Sequence, residues 1–301
     1  MTLSLQSDAR IARVIPGSSP GQALSEPHIG GERRIYATKK ARFLAALGMT
    51  LLAAAVAPAQ AETPEEKGLA IAREADRRND GFGDSSATMQ MILRNRQGEE
   101  SKREIRSKVL EVKSDGDKSL IIFDQPKDVA GTALLTYTHK SGDDDRWLYL
   151  PALKRVKRIA SSNKSGPFMG SEFAFEDLGS QEVDKYRYKF IRDDKLDGQD
   201  VFVSERYPVD KDSGYTRMVI WMDKAEYRPL KIEFYDRKQS LLKTLTFAEY
   251  EKYLDKFWRP GKLDMINHQT GKSTTLTFKD YKFRSGFSDR DFDQNSLQSA
   301  R

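Results

Sequence analysis

From Ser86 to Phe283 the chain is built of short runs in which apolar and polar residues alternate, separated by turns rich in Gly, Asp and Asn. Met89, Met91 and Leu93 alternate with Gln90, Ile92 and Arg94, and Lys231, Glu233 and Tyr235 alternate with Leu230, Ile232 and Phe234. A period of two places one set of side chains on each side of a strand, so one face should be apolar and the other wet. Short strands at regular spacing read as an antiparallel meander. The segments in order are those around Met89, Ile105, Leu120–Phe123, Thr132–His139, Trp147–Leu150 and Lys154–Ile159. After a gap come Tyr186–Arg192, Val201–Tyr207, Thr216–Met222, Leu230–Tyr235, Leu241–Tyr250, Trp258–Asn267 and Thr274–Phe283. The expected fold is mainly β (α+β): one strongly curved antiparallel sheet of roughly eleven strands, with helices at the ends and short helical pieces in the middle. No Pro-, Gly- or Ser-rich linker divides it and no internal repeat is present.

The gap holds the segment on which the reading turns. After the aromatic strand Trp147-Leu148-Tyr149-Leu150 and the basic strand Lys154–Ile159, a small polar loop leads into Phe168 to Leu178. Phe168, Met169, Phe173 and Phe175 have no long strand or helix of their own, and such rings left in water form a costly patch. The segment is therefore expected to lie across the concave face of the sheet, either as core or as the lining of an apolar cavity, which aromatic rings and methionine suit. Thr63-Pro64-Glu65-Glu66 is a capping box with Pro at the first helical position. It predicts a helix to about Arg78 with a stripe at Leu69, Ala72 and Ala75. Ser288 begins a short final helix whose Phe292 and Leu297 are expected to dock on a barrel mouth.

The first sixty residues carry the pattern of an export signal. Lys39-Lys40-Ala41-Arg42 precedes an apolar run of fourteen residues from Phe43 to Val56, and Ala57-Pro58-Ala59-Gln60-Ala61 ends in an A-x-A site. That is a secretory signal peptide over 39–61, too short for a span of about 20 residues. Residues 1–38 read as an extension upstream of the true start, and 62–301 as one domain. Cleavage after Ala61 removes seven Lys/Arg and three Asp/Glu, so the net charge falls from +6 to +2. Nucleic acid is then an unlikely class of partner. The chain has no cysteine, so an exported form rests on its core alone.

No catalytic constellation emerges. His139 and His268 are far apart, each on a predicted strand, and no G-x-S-x-G elbow accompanies either. Asp143-Asp144-Asp145 after Gly142 reads as a solvated hairpin turn, not a cation loop. Glu172 and Glu176 would share a helix face as a carboxylate pair, but acidic residues in a first turn are ordinary dipole partners. No cofactor and no metal are expected. Lys154, Arg155, Lys157, Arg158 and Lys164 form a basic cluster, either a solvated face or a rim that meets anionic head groups or an acidic partner.

The motifs W-L-Y-L-P-A-L-K-R-V-K-R-I (Trp147 to Ile159) and G-P-F-M-G-S-E-F-A-F-E-D-L (Gly166 to Leu178) resemble the outer membrane lipoprotein-sorting proteins. The Arg77-Arg78-Asn79-Asp80-Gly81-Phe82 element resembles the same family. These are LolA-like proteins, related in fold to the lipoprotein carriers LolA and LolB and to the anti-sigma partner RseB. The resemblance implies an open half-barrel closed by a helical lid over a hydrophobic cavity for acyl chains, and it carries no catalytic residue. It also implies a periplasmic monomer that works with an inner-membrane RND exporter of the MMPL kind and an outer-membrane acceptor. On this reading Trp147, Tyr149, Phe168, Met169, Phe173 and Phe175 line the cavity or lid. Lys154, Arg155, Lys157 and Arg158 form the rim. The alternatives are an RseB-like module that senses lipoproteins, and a periplasmic hydrolase using the Glu172/Glu176 region.

Overall fold

The computed structural model describes residues 61–298. The leader assigned to 39–61, apart from Ala61, and the extension before it lie outside the described residues. Helix α1 (Pro64–Asn79) starts where the capping box placed it. Thr63 Oγ1 accepts from the Glu66 amide at 3.2 Å, and the Glu66 carboxylate accepts from the Thr63 amide at 2.8 Å. Its buried residues are Gly68 and Ile71, one position out of step with the expected stripe. The reason is Gly68: a Cβ there would sit 2.8 Å from the backbone nitrogen of Phe190, so the helix can approach the sheet this closely only along that line.

Every segment read as a strand forms one, and there are thirteen instead of roughly eleven. The first six are β1 (Asp84–Arg94), β2 (Glu100–Leu110), β3 (Lys118–Gln125), β4 (Ala133–Tyr137), β5 (Asp145–Leu150) and β6 (Arg155–Arg158). The remaining seven are β7 (Tyr186–Leu196), β8 (Gln199–Pro208), β9 (Arg217–Asp223), β10 (Pro229–Tyr235), β11 (Leu241–Tyr253), β12 (Phe257–Asn267) and β13 (Ser273–Phe283). Their order in the sheet is β6-β5-β4-β3-β2-β1-β13-β12-β11-β10-β9-β8-β7. The chain thus winds outward from β1 to one edge, crosses to the other edge, and winds back to close on β1 through β13.

That crossing defines the architecture. Edge strands β6 and β7 are joined by 27 residues, 159–185. They stand twelve spacings apart, roughly 58 Å in a flat sheet at about 4.8 Å per spacing. The sheet curls instead, and the connection runs through the hollow. Phe168 and Phe173 pack in one cluster with Ile105, Phe123 and Leu134 from one meander and Met218, Phe234, Leu245 and Met265 from the other. The segment Phe168 to Leu178 therefore lies across the concave face, as the sequence required.

The convex face departs from the simple wet side of a meander. Leu120, Ile122, Leu135 and Trp147 form a second core there, covered by Phe292 and Leu297, both 0% exposed. Tyr137 Oη donates to the Phe292 carbonyl at 2.5 Å and fixes the turn. The C-terminal segment thus docks on the back of β3 to β6 and not on a barrel mouth, because the apolar residues it needs are on that side. A third patch of Val201, Val203, Val219 and Trp221 is shielded by Leu196, Leu230, Tyr235 and the Lys231 ammonium, 3.5 Å from the Trp221 ring centre. Emptying the C-terminal anchor with Phe292→Ala should cost about 3–5 kcal/mol. In urea denaturation this would appear as a lower midpoint at unchanged slope.

Candidate functional site

Between α1 and the part of the concave face that the crossing segment leaves free is a cavity of about 1180 Å³. Ligand pockets commonly hold about 300–1,000 Å³. Ile71, Ala72 and Ala75 line it from the helix, and Ile220, Met222, Ile232 and Phe247 from β9, β10 and β11. Gly179 to Val183, the end of the crossing segment, contributes one wall. Helix α1 is held over this space at both ends. Lys67 Nζ lies 3.5 Å from the Phe190 ring centre, Arg78 donates to the Ala225 carbonyl at 2.9 Å, and Asn79 Oδ1 accepts from Arg259 at 2.7 Å.

The residues picked from the sequence fall in three places. Phe168 (1% exposed) and Phe173 (3%) are core of the crossing segment and do not border the large cavity. Met169 and Phe175 pack against the same core, and Phe175 also lines a smaller cavity of about 470 Å³ with Leu148, Ile159, Pro167 and Lys157. Trp147 and Tyr149 point the other way, into the convex core under Phe292 and Leu297. Period two explains this: Leu148 and Leu150 take the concave side of β5, so their neighbours cannot. Lys154, Arg155, Lys157 and Arg158 are exposed on or beside the edge strand β6, and Arg158 is ion-paired with Asp145. Lys164 leaves the cluster, nearly buried against Asp210.

The crossing segment is pinned by a set of polar contacts that the sequence reading missed. Residues 167–174 fold back as a tight hairpin, with the Phe168 amide donating to the Phe173 carbonyl at 2.7 Å and Gly170 at φ +76° in its turn. Arg103 reaches the Met169 carbonyl at 2.6 Å. Lys243, on the apolar side of β11, donates at 2.7 Å to Asp177 and at 2.9 Å to the Glu172 carbonyl. Asp177 also accepts from the Ala174 amide at 2.7 Å and from Tyr215 Oη at 2.8 Å. Lys243 and Asp177 side chains are 4% and 7% exposed, so this is a buried ion pair with its remaining groups satisfied. The one sequence signal was a lysine in phase with Leu245 and Phe247.

Glu172 and Glu176 do not share a helix face, because the segment is a hairpin followed by a single 3₁₀ turn at Phe175–Asp177. Glu172 accepts from Asn267 at 2.7 Å, whereas Glu176 accepts from Ser213 and the Gly214 amide, both at 2.8 Å. Burial pushes the Glu176 carboxyl up from its ordinary range. The Asp143–Asp145 turn is not simply solvated either. Asp143 is exposed, but Asp144 is buried between Arg146 and Lys185, and Asp145 pairs with Arg158. The cause is Arg146, a cation on the concave side of β5, which requires a counter-charge. Neither histidine lies within a strand. His139 sits 2.6 Å from Asp115, whose hydrogen bond raises the imidazole pKa, and His268 contacts Thr244 at 2.7 Å.

At the cavity wall Asp117 is pushed up to about 7, first by burial and then by the charge of Glu182, with Glu111 and Asp80 adding to it. Among the described residues no group of three or more His, Asp or Glu side chains is arranged to hold a metal ion, and no helix is long and apolar enough to cross a membrane.

The fold and site together define a class: an open antiparallel half-barrel with an internal plug and a helix lying over a half-open cavity. Residues 115–299 match a family model whose description reads only "Uncharacterized protein". No curated protein matches the chain. Among solved structures, a candidate outer membrane lipoprotein-sorting protein domain from Vibrio parahaemolyticus is 62% identical, with 78% of this chain and 99% of that one covered at a TM-score of 0.77. A DUF1329 family protein from Desulfovibrio piger is 32% identical over 78% of this chain and 99% of its own, with a TM-score of 0.74. A LolA superfamily protein from Nitrosomonas europaea shares the fold at 20% identity, a TM-score of 0.62, and 76% and 98% coverage. The chain belongs to the family of outer membrane lipoprotein-sorting proteins, and its fold is that of the LolA superfamily protein.

Two outcomes are expected from this geometry. Lys243→Met leaves Asp177 buried without its cation and should cost about 3–5 kcal/mol, whereas adding Asp177→Asn should recover a large part of the loss. Chemical denaturation of the two single variants and the double variant measures that coupling. The second outcome follows from Asp117. Its pKa is raised in the folded state, so the folded protein binds more protons than the unfolded one between the ordinary 3.8 and about 7. Stability therefore falls as pH rises through that window. Asp117→Asn should melt higher than wild type at about pH 8 and show little difference at about pH 4. An equal difference at both would assign the effect to packing.

Proposed function

We propose that this protein carries a lipid or the acyl chains of a lipoprotein between membranes, with the chains held under α1. The observation that carries the reading is the cavity of about 1180 Å³, apolar along α1 and β9 to β11, in a family of lipoprotein-sorting proteins. Burying each CH₂ of a chain contributes about 0.8 kcal/mol, so a chain of about fourteen carbons supplies on the order of 10 kcal/mol before ordering costs. Loading and release then require α1 to move, and its attachments are few and polar at the C-terminal end. The closed part of the concave face is a plug that leaves the chain one half of the hollow.

The surrounding assignments are part of the same proposal. The leader ending at Ala61 places the protein in the periplasm, and the capped start of α1 at Thr63 lies two residues beyond it. The exposed basic residues Lys154, Arg155, Lys157 and Arg158 on one sheet edge are the surface that meets anionic head groups or an acidic partner. An inner-membrane RND exporter of the MMPL kind and an outer-membrane acceptor are the proposed partners, with the protein working as a monomer. Phe168, Met169, Phe173 and Phe175 form the plug that confines the chain to the other half of the hollow without lining the cavity themselves; the aromatic pair Trp147 and Tyr149 serves the convex core instead.

The cavity can be filled from the helix side without emptying any core. Ala75→Trp introduces a ring into the space from α1. It should weaken binding of a fluorescent long-chain alcohol by at least about tenfold while the melting temperature stays within about two degrees of wild type. Native mass spectrometry of wild type from the periplasm should show co-purified lipid. Wild type that neither binds the alcohol nor carries lipid would defeat the carrier reading.

A further inference from the structure

The cavity wall carries nine Lys and Arg side chains; Lys113, Lys140, Lys252 and Lys256 are exposed, and three of the five arginines are ion-paired. Arg77 and Arg78 pair with Glu74 at 2.8 and 2.7 Å, and Arg228 pairs with Asp223 at 2.7 Å. Arg206 and Arg259 are different. Among the described residues neither makes an ion pair with a carboxylate, and both line the cavity. Arg206 donates its Nε–H to the Met218 sulfur at 3.2 Å and lies 4.7 Å from the Tyr186 ring centre. Among the described residues its two terminal nitrogens have no acceptor. Arg259 uses only Nη1, toward Asn79 Oδ1 at 2.7 Å and the Trp258 carbonyl at 3.0 Å. Its guanidinium otherwise sits among the rings of Phe82 and Phe283, at 5.3 and 5.4 Å.

A guanidinium stays charged in a protein, and withdrawing it from water without a counter-anion is costly. Burial accordingly lowers the Arg259 pKa, and the nearest acids, Asp117 and Glu111, act on it only through space. Aromatic faces compensate part of that cost, but they leave the N–H fork unused. The fork geometry fits a phosphate or carboxylate better than any other group. The same cavity supplies an apolar surface at Ile220, Met222 and Phe247.

We propose, resting on the carrier reading above, that the cavity selects amphiphiles with an anionic head group, whose charge is met by Arg206 or Arg259 while the chain lies along β9 to β11. Asp117 and Glu182 also line the cavity and repel the same head group, so its charge is met only where a guanidinium fork reaches it. Contact with the Arg259 fork also competes with Asn79, the link from β12 to the end of α1, so the occupied site is read by the helix that covers it.

The test compares three chain-matched fluorescent amphiphiles with phosphate, hydroxyl and trimethylammonium heads on the purified protein. The phosphate should bind at least about tenfold tighter than the alcohol, and the trimethylammonium no tighter than the alcohol. Arg206→Gln with Arg259→Gln should bring the phosphate to the level of the alcohol measured on the same variant. The corresponding lysine pair should keep most of the preference, which separates loss of charge from loss of fold. Equal binding of phosphate and alcohol by wild type overturns the proposal, as does a preference that survives the double glutamine variant. Inorganic phosphate binding as tightly as the amphiphile would assign the arginines to a free anion and overturn it too. If not even the alcohol binds, the carrier reading itself fails, and the alcohol arm tells the two failures apart.

Discussion

The buried contact between Lys243 and Asp177 is where the two halves of this molecule meet. A sheet wound outward from β1 and inward to β13 leaves its two edges joined by a single connection, and an open sheet offers that connection no route but over a rim or through the hollow. The hydrophobic residues of 168–175 take it through the hollow, and the ion pair decides where it stops. Asp177 is held by an amide, a phenol and an ammonium, each from a different part of the chain. Hydrophobic burial alone would drive the segment inward in many arrangements. The requirement that each buried charge find its partner selects one.

The cavity follows from the same constraint. The plug is too short to fill the whole concave face, and α1, which could have completed a core, approaches β7 along Gly68 and turns Ile71, Ala72 and Ala75 inward beside the polar residues of its last turn. Ile71, Ala72 and Ala75 offer little volume. Well-packed cores do not leave such spaces, since unmatched walls forfeit contacts. A lid of alanines over a floor of Ile, Met and Phe is an arrangement that another molecule completes.

Much of this was legible from the chain. The antiparallel meander, though not its full count of thirteen strands, the capping box at Thr63 and the concave placement of Phe168 to Leu178 follow from period two, from local backbone chemistry and from the aversion of large rings to water. The faces of individual strands were harder. Trp147 and Tyr149 were expected around a cavity because they sit beside the family motif, but Leu148 and Leu150 already occupy that side of β5. Arg206, Arg259 and Lys243 could not be singled out. Each is an ordinary charged residue in a chain rich in them, and only the pairing of strands shows that its side chain turns inward. Asp144 is the converse case: three successive Asp in a turn look solvated until Arg146 is seen to be buried beside them.

The way the sheet is wound also sets the order in which it can assemble. Within each meander, neighbouring strands are joined by short turns, so their pairing costs little chain entropy. The seam between β1 and β13 is another matter, since the Thr88 hydroxyl reaches Lys279 across a separation of 191 residues. Closing so long a loop comes late and slowly, because no local contact repays it in advance. Until that seam forms, the hollow does not exist as a hollow, and the crossing segment has nothing to cross. Two half-sheets with open apolar faces would precede the finished protein, and in a chain without disulfides nothing covalent but the crossing segment itself holds them together while they wait.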